Sequence, residues 1–591
     1  MSLLSALVRA YDRLPEAPPF GYSSEKIGFC VVLNPDGTVA EVVDLRADDK
    51  KRSPRMMLVP APFKRPGVTP RPMFLWDNAN YALGTGTIED KNDLRFKAFQ
   101  EKHLELLAGE SDAELLAFRS FLEKWVPEDI VNFAKIEDVV TAKVVFAHCD
   151  TYREHFLHLN ARAKELWTER SDEWRAVEGK QTATAVCLVK GVRLPIARTH
   201  SAIKGIPSKS GKDADTLIGF NLDAFTSYGH EQGDNAPVSE AAAFAYTTAL
   251  NRFLADHRHR IQIGDASTVF WADSADSDAV KEAEALAAGM FEGQAALAED
   301  DLAAAKVRDR LEAIRNGQNL PQIAPELTQG VRFHILGLAP NAARLSVRLW
   351  WESDFGTLTA NYQRYLADTE MQPPPRDDWP PLWRYLAELA VLGKRENVPP
   401  LVAGDWMRAI VTGTPYPLTL LSTVLMRIRA DGEVNALRAA ILKSVLIRNL
   451  KKEAPVALDP ANTNKGYILG RLFAVYEEVQ RAALGGNVNA TIKDKFYGAA
   501  SATPQKVFRT LDAGSQNHFS KLRKQSPGRA VNLEKLLTSI TDLMDPGDDP
   551  IPASLTSAEQ ALFGIGYYHQ RSDFFRKREE KADDNLIGTD K

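Results

Sequence analysis

The chain is poor in the residue patterns that usually announce chemistry. It has three cysteines in 591 residues, Cys30, Cys149 and Cys187, with no CxxC pair, which argues against a disulfide framework or a thiolate zinc site and suits a reducing cytoplasm. No stretch approaches roughly 18 uncharged apolar residues, so no membrane span is expected. The opening MSLLSALVRAYDRL places Leu4, Leu7, Tyr11 and Leu14 on one helical face. Arg9, Asp12 and Arg13 interrupt its apolar run, so it reads as a packed helix rather than a signal peptide. Eleven histidines are present, including His148, His155, His158, His257 and His259, yet none forms HExxH. There is no GxSxG and no Walker motif, and Gly84-Thr85-Gly86 lacks the glycines and lysine of a phosphate loop. No catalytic residue, metal or cofactor is therefore expected.

What is present is an ordinary globular composition, 44% hydrophobic and 26% charged, in a chain long enough for at least two domains. IGFCVVL and TVAEVVDLR flank the turn signal Asn34-Pro35-Asp36-Gly37, which predicts a hairpin. A second hairpin is predicted for TAVCLVK–Gly191–VRLPIAR, and a third for VRFHILGL and ARLSVRLWW joined through Ala339-Pro340-Asn341. Helical stretches lie between them, SEAAAFAYTTALNRFLAD and an Ala-rich run from about 278 to 314. After the Pro-rich QPPPRDDWPP (372–381), LWRYLAELAVL, YPLTLLSTVLMRIR, LRAAILKSVLIRNL, ILGRLFAVYEEVQRAAL and NLEKLLTSITDLM space apolar residues at three and four. The expectation is an α+β chain: a mixed α/β domain with several β-hairpins over 1–375, then an all-α helical bundle over 376–591.

Charge is unevenly distributed. Residues 46–72 hold eight Lys/Arg against two Asp, a balance of +6, in a chain of net charge −5. Residues 438–535 hold 17 Lys/Arg against 7 Asp/Glu, a balance of +10, whereas 273–301 carry nine acids against Lys281. Such asymmetry fits either solvated faces or a polyanion partner for the basic parts. The stretch 198–240 interleaves Arg198, Lys204, Lys209 and Lys212 with Asn221, Ser227, Tyr228, Gln232 and Asn235. Phosphates take Arg, Lys and hydroxyl donors, and base edges take amides, so this stretch reads either as a nucleic-acid contact or as a Gly-rich surface loop.

Several long motifs then carry a resemblance: GYSSEKIGFCVVLNPDG, LVPAPFKRPGVTPRPMFLWDNANYALG, FNLDAFTSYGHEQGDNAPVSEAAAFAYTTALN, QIGDASTVFWAD, VRFHILGLAPNAARLSVR, GTPYPLTLLSTVLMRIR, GRLFAVYEEVQ, KDKFYGAASATPQKVF and EQALFGIGYYHQRSDFF. Together, from the first helix to about residue 575 and in one order, they resemble the large subunit of the type I-C CRISPR surveillance complex, type I-C Cascade. The resemblance implies a non-catalytic subunit that reads a short protospacer-adjacent motif (PAM) on duplex DNA while guide pairing reads the rest. Its implied partners are CRISPR RNA, target duplex and displaced strand, the backbone and guide-end subunits, a small subunit, and a helicase-nuclease recruited in trans. The carboxy-terminal bundle resembles that small subunit, and such systems are thought to make it from an internal start. Met544 is too late for one and Met426 lies inside a helix, so a non-Met start near Pro455–Gly466 is expected.

These implications assign roles. Lys50, Lys51, Arg52, Lys64 and Arg65 are expected to grip duplex phosphates. Asn78 or Asn80, held by Phe74, Trp76 and Tyr81, is expected to reach base edges, plausibly in the minor groove; Trp76 and Tyr81 also fit a core, and Asp77 a turn cap. Arg198, His200 and Lys204 are the expected phosphate contacts of the central stretch, with Asn221, Tyr228, Gln232 and Asn235 touching nucleic acid or a neighbouring subunit. Lys493, Lys495, Lys506, Arg509, Lys521, Arg523 and Lys524 are expected to track the displaced strand, with Phe496, Tyr497 and Phe519 among them for stacking. Two rival readings stand beside this one: a metal-independent RNA-processing endonuclease using His200 with Lys204, and a plain assembly scaffold.

Overall fold

The structure is a computed structural model that describes residues 2–14, 17–48, 52–62, 70–85, 89–175, 183–206, 214–220, 222–293, 302–328, 330–341, 344–485 and 490–587. Lys50, Lys51, Lys64, Arg65 and Asn221 lie outside the described residues. The chain forms two compact units, one of Met1–Ser201 with Gly219–Leu250, the other of Ala202–Ile218 with Asn251–Lys591. The fold is α+β, with small sheets and hairpins in the amino-terminal region and helices alone after residue 354 among the described residues.

In the first unit the strands are β1 (Tyr22–Ile27), β2 (Phe29–Leu33), β3 (Val39–Asp44), β4 (Arg55–Pro60), β5 (Trp76–Asn78), β6 (Lys143–His148), β7 (Thr184–Val186) and β8 (Arg193–Pro195). A four-stranded sheet runs β3-β2-β6-β5, with β2 and β6 parallel and both flanking pairs antiparallel. All five residues of β2 are buried. Phe29, Val31 and Leu33 enter one core with Phe99, Phe118 and Phe146, while Cys30 and Val32 enter another with Val59, Trp76 and Val145. A sheet covered on both faces explains why FCVVL is continuously apolar instead of alternating. The predicted hairpin at Asn34–Gly37 is present: Gly37 has φ +84°, and Asp36 accepts from the backbone and hydroxyl of Thr38. The pairing of β1 with β4 has no local turn signal and was not anticipated.

The second unit contains β9 (Ile203–Lys204), β10 (Ala214–Asp215), β11 (Arg260–Ile263), β12 (Ala266–Asp273), β13 (Arg332–Asn341) and β14 (Arg344–Asp354), the last four forming an antiparallel meander. One core cluster runs from Ile261 in that meander to Tyr568 near the carboxy terminus. The Pro-rich segment sits inside this unit, with Gln372 N–H donating to the Val456 carbonyl and the Tyr568 hydroxyl to that of Pro373. The units therefore do not divide near residue 375. Ala339, Pro340 and Asn341, expected to form a turn, belong to β13 opposite Ser346, Leu345 and Arg344. A proline at the end of a strand costs no needed donor, so the turn signal was misleading there. LWRYLAELAVL forms only a short helix, Leu382–Ala387.

The helices Lys465–Leu484 and Ser557–Ile587 meet backbone to backbone. A Cβ on Gly466 would collide with the Glu559 carbonyl oxygen, one on Gly470 with that of Phe563, and one on Gly566 with that of Tyr467. Spacing of four between Gly466 and Gly470 puts both on one face, so the helices approach closely without side chains between them. Gly470→Ala should destabilise the protein by about 1–3 kcal/mol or more through overpacking. Urea unfolding of the two forms measures it, and an unchanged midpoint would contradict the close approach.

Candidate nucleic-acid interface

The stretch around Asn78 is built on a rigid base. Phe74, Leu75 and Trp76 are buried, and the Trp76 indole N–H donates to the Pro60 carbonyl at 2.8 Å. Leu75 sits at φ +58°, with its N–H donating to His103 Nε2 at 2.9 Å. Burial pushes the His103 pKa down to about 3, so the ring is neutral and its Nδ1–H donates to the Phe99 carbonyl. Asp77 is 1% exposed and accepts from the N–H groups of Met73 and Asn78, the capping role that the sequence allowed. Tyr81 is buried beneath Arg95, which lies 5.8 Å from its ring. The aromatics are thus core, and the two asparagines are what remains partly exposed. Asn78 ends β5 and precedes the helical turn Ala79–Ala82 without using its side chain as a cap. Asn80 Oδ1 is buried and has no hydrogen-bond partner.

Arg52 is half-exposed at φ +46° and pairs with Asp44 at 2.6 Å, while Arg46 pairs with Asp44 and Asp138 and lies over the Phe29 ring. Two of the eight cations in the 46–72 window are therefore matched by acids outside it. The window count overstated the free charge at this end.

The central stretch divides. His200 is 7% exposed, its Nδ1 is 2.7 Å from the Tyr246 hydroxyl, and burial pushes its pKa down to about 4. It is a neutral core group, not the surface phosphate contact expected of it. Lys204 is exposed on β9, with its backbone N–H donating to Asn251 Oδ1. Arg198 Nε donates to Gln232 Oε1 at 2.5 Å, and Asn235 Nδ2 donates to the carbonyls of Phe225 and Gln232. These groups brace a loop whose tip is Tyr228.

The bundle carries an exposed basic helix face. On the helix Pro504–Gln525, Pro504, Val507, Phe508, Leu511, Ser515, Phe519 and Leu522 are buried, a stripe at spacings of three and four. Lys506, Arg509, Lys521, Arg523 and Lys524 occupy the exposed side. From Lys506 to Lys524 this face runs about 27 Å at the usual helical rise. Its only acid, Asp512, accepts from the Tyr476 hydroxyl, and Arg523 pairs with Glu534. Lys495 is exposed on the helix Ile492–Ala502 and Lys493 is half-buried there. Tyr497 and Phe519 are buried and Phe496 packs against the core, which corrects the expectation that they stack on bases. Gln516 and Asn517 are exposed on the same face and were not singled out in the sequence, although the seven-residue recurrence of the buried stripe places them there.

Four cations of the +10 window are not on the surface at all: Arg438, Lys443, Arg448 and Arg471 are buried. Arg438 pairs with Glu388 and Asp431, and Arg448 with Asp368, three acids that the window omits. Among the described residues, one group of possible metal ligands comes together, His148, Cys149 and Asp150, with ligand atoms within 4.8 Å of one another. Its members already engage each other, the Asp150 N–H with His148 Nδ1 and the Cys149 thiol with the Asp150 carboxylate. A polar recess of about 460 Å³ is lined by Asp431, Glu433, Lys493, Asp494, Arg571 and Phe575 among others. No helix among the described residues is long and apolar enough to cross a membrane.

An α+β chain with an exposed basic helical face is compatible with the class identified by family comparison, the CRISPR-associated proteins. The model of the family described as CRISPR-associated protein (Cas_Csd1) matches residues 7–575, and the chain belongs to that family. Comparison with curated proteins gives no match.

The buried histidines set a pH dependence. Burial pushes His103 to about 3 and His158, His200 and His569 to about 4, against about 6.5 in an unfolded chain. Between pH 6.5 and 4 the unfolded chain therefore takes up protons that the folded one refuses, and stability falls as pH falls. Paired carboxylates such as Asp44 and Asp256, held below the usual range, lose their contribution only at lower pH. Melting curves should show Tm declining already between pH 6.5 and 5; a flat profile there contradicts the assignment of these rings as neutral core groups.

Proposed function

We propose that the chain is the large, non-catalytic subunit of a type I-C Cascade acting in the cytoplasm, which reads the PAM on duplex DNA and holds the displaced strand. Family membership supports the setting, and the exposed basic stripe of Pro504–Gln525 is the observation that carries the strand-holding role. Backbone charge along one helix gives affinity without sequence preference, which is what a displaced strand of arbitrary sequence requires. Asn78 and Asn80, the partly exposed amides on a buried aromatic base, are the readers in this proposal. The implied partners are CRISPR RNA, the backbone, guide-end and small subunits, and a helicase-nuclease acting in trans. The endonuclease reading is weakened by the burial of His200 against Tyr246. The scaffold reading predicts no DNA phenotype for any of these residues.

A small-subunit product starting near Pro455–Gly466 would retain the glycine-mediated helix pair and the basic helix. It would lose Leu442, whose Cδ1 lies 2.8 Å from a Cβ built on Gly564, and so leave that face uncovered.

Replacing Asn78 and Asn80 by Ala should lower PAM discrimination by about 1–3 kcal/mol per lost base contact, with assembly intact. Electrophoretic shift of duplexes with and without the motif reads this, and unchanged discrimination counts against the assignment. Charge reversal at Lys506, Lys521 and Lys524 should instead weaken R-loop stability and flatten its salt dependence while motif choice is preserved. Permanganate footprinting of the displaced strand across a salt series measures that effect; an unaltered footprint supports the scaffold reading.

A further inference from the structure

The carboxy end of β6 gathers three metal-binding side chains from three consecutive residues. His148 pairs with Leu33 at the end of the strand, and the Cys149 N–H donates to the Leu33 carbonyl at 2.8 Å. The chain then turns: the Thr151 N–H donates to the His148 carbonyl, and the His155 N–H to that of Thr151. The Thr151 hydroxyl donates to Glu114 in the first turn of the helix Ala113–Lys124. The backbone that carries the three donors is therefore held without help from a ligand. No spacing motif announces the cluster, because a continuing strand would send consecutive side chains to opposite faces. Only the turn after His148 brings them together.

One imidazole nitrogen, the thiol sulfur and one carboxylate oxygen lie within 4.8 Å of one another. Around a tetrahedral zinc ion, ligand atoms at the usual bond lengths stand roughly 3.5 Å apart. His148 Nδ1 is 3.7 Å from Asp150 Oδ2, and the Cys149 sulfur is 3.5 Å from Asp150 Oδ1. Small side-chain rotations suffice to close such a set on an ion. His148 Nδ1 accepts a long 3.4 Å bond from the Asp150 N–H, so it carries its lone pair, the form of the ring that ligates. The surrounding groups leave the three donors to one another. Glu114 is occupied by Thr151, His155 and Asn160, and Arg153 lies over the Tyr152 ring. Among the described residues Asp150 is ion-paired with no lysine or arginine. Asp150 is exposed and Cys149 half-buried, which opens the cluster to solvent, while His148 is buried and anchors it.

We propose that His148 Nδ1, Cys149 Sγ and an Asp150 carboxylate oxygen bind one divalent transition-metal ion of the zinc type, with a fourth position left to water. On binding, the Cys149 S–H bond breaks, its proton passes to solvent, and the sulfur electron pair forms the bond to the metal with no change of oxidation state. Thiolate and imidazole select zinc over magnesium or calcium, which take oxygen ligands. The site needs neither DNA nor a partner subunit, so it stands apart from the PAM and displaced-strand readings.

Cobalt(II) and zinc(II), titrated into the reduced full chain, are the probes. The expected result is one cobalt ion per chain with a thiolate-to-cobalt charge-transfer band, removed by zinc and missing in Cys149→Ser. Cys30 and Cys187 are buried and remain in that variant, so a band that survives it assigns the thiolate elsewhere and overturns the proposal. Asp150→Asn, at an exposed position, should weaken cobalt affinity about tenfold or more; unchanged affinity contradicts the ligand set. X-ray absorption of the zinc-loaded wild-type chain decides the matter without any variant. It should show one sulfur scatterer at about 2.3 Å with nitrogen and oxygen completing the shell. No sulfur, more than one, or a chain that takes up neither metal would each overturn the proposal.

Discussion

The architecture of the helical region depends on the absence of side chains at one line of contact. Gly466, Gly470 and Gly566 let the helices Lys465–Leu484 and Ser557–Ile587 touch through their backbones. That contact brings Tyr467 and His569 to within 2.9 Å and sets Phe473, Tyr497, Phe563 and Tyr567 into one aromatic cluster. The basic helix Pro504–Gln525 rests on the Lys465–Leu484 helix through pairs such as Tyr476 with Phe508. Widening the glycine contact by a methyl group would shift the platform that orients the exposed lysines. Packing at the glycine contact therefore governs where the exposed charges sit.

A second constraint lies in the buried charges of the same unit. Arg448 Nε donates to Asp368 at 2.5 Å, the Tyr416 hydroxyl donates to the same carboxylate, and Lys443 Nζ donates to the carbonyls of Ala367 and Asp368. Lys443 thereby satisfies carbonyls at the end of the helix Phe355–Thr369, where a cation is favoured. Burial pushes the Lys443 pKa down, against the pull of Glu370 and Asp368. Buried pairs of this kind add little net stability, but removing one partner strands the other at a cost of about 3–5 kcal/mol. They also explain why a charge count along the sequence is a poor map of surface potential: the acids that neutralise Arg438 and Arg448 come from elsewhere in the chain.

The features legible in the sequence were those with local causes. Turn chemistry at Asn34–Gly37 and apolar spacing in the carboxy-terminal helices both translated directly into structure. The β1–β4 pairing and the core shared between the meander and the helices arise from contacts distant in sequence, and no local pattern encodes them. Site residues followed the same rule. The exposed cations of Pro504–Gln525 are readable from helical phase, and the burial of Phe519 was readable too, since it falls on the stripe of Val507, Leu511 and Leu522. The burial of His200 was not readable, because Tyr246 lies 46 residues away. Nor was the left-handed backbone of Tyr228, for which the neighbouring Gly229 was the only hint.

The proposed division of labour assigns base reading to two asparagines on a buried aromatic platform and strand holding to a lysine-rich helix face. A structure of the assembled complex on a target duplex carrying its adjacent motif tests this most directly. The account predicts Asn78 or Asn80 at the base edges of the motif and the displaced strand running along Lys506, Lys521 and Lys524. Asparagines turned toward protein, or a displaced strand routed away from the helix Pro504–Gln525, would contradict it.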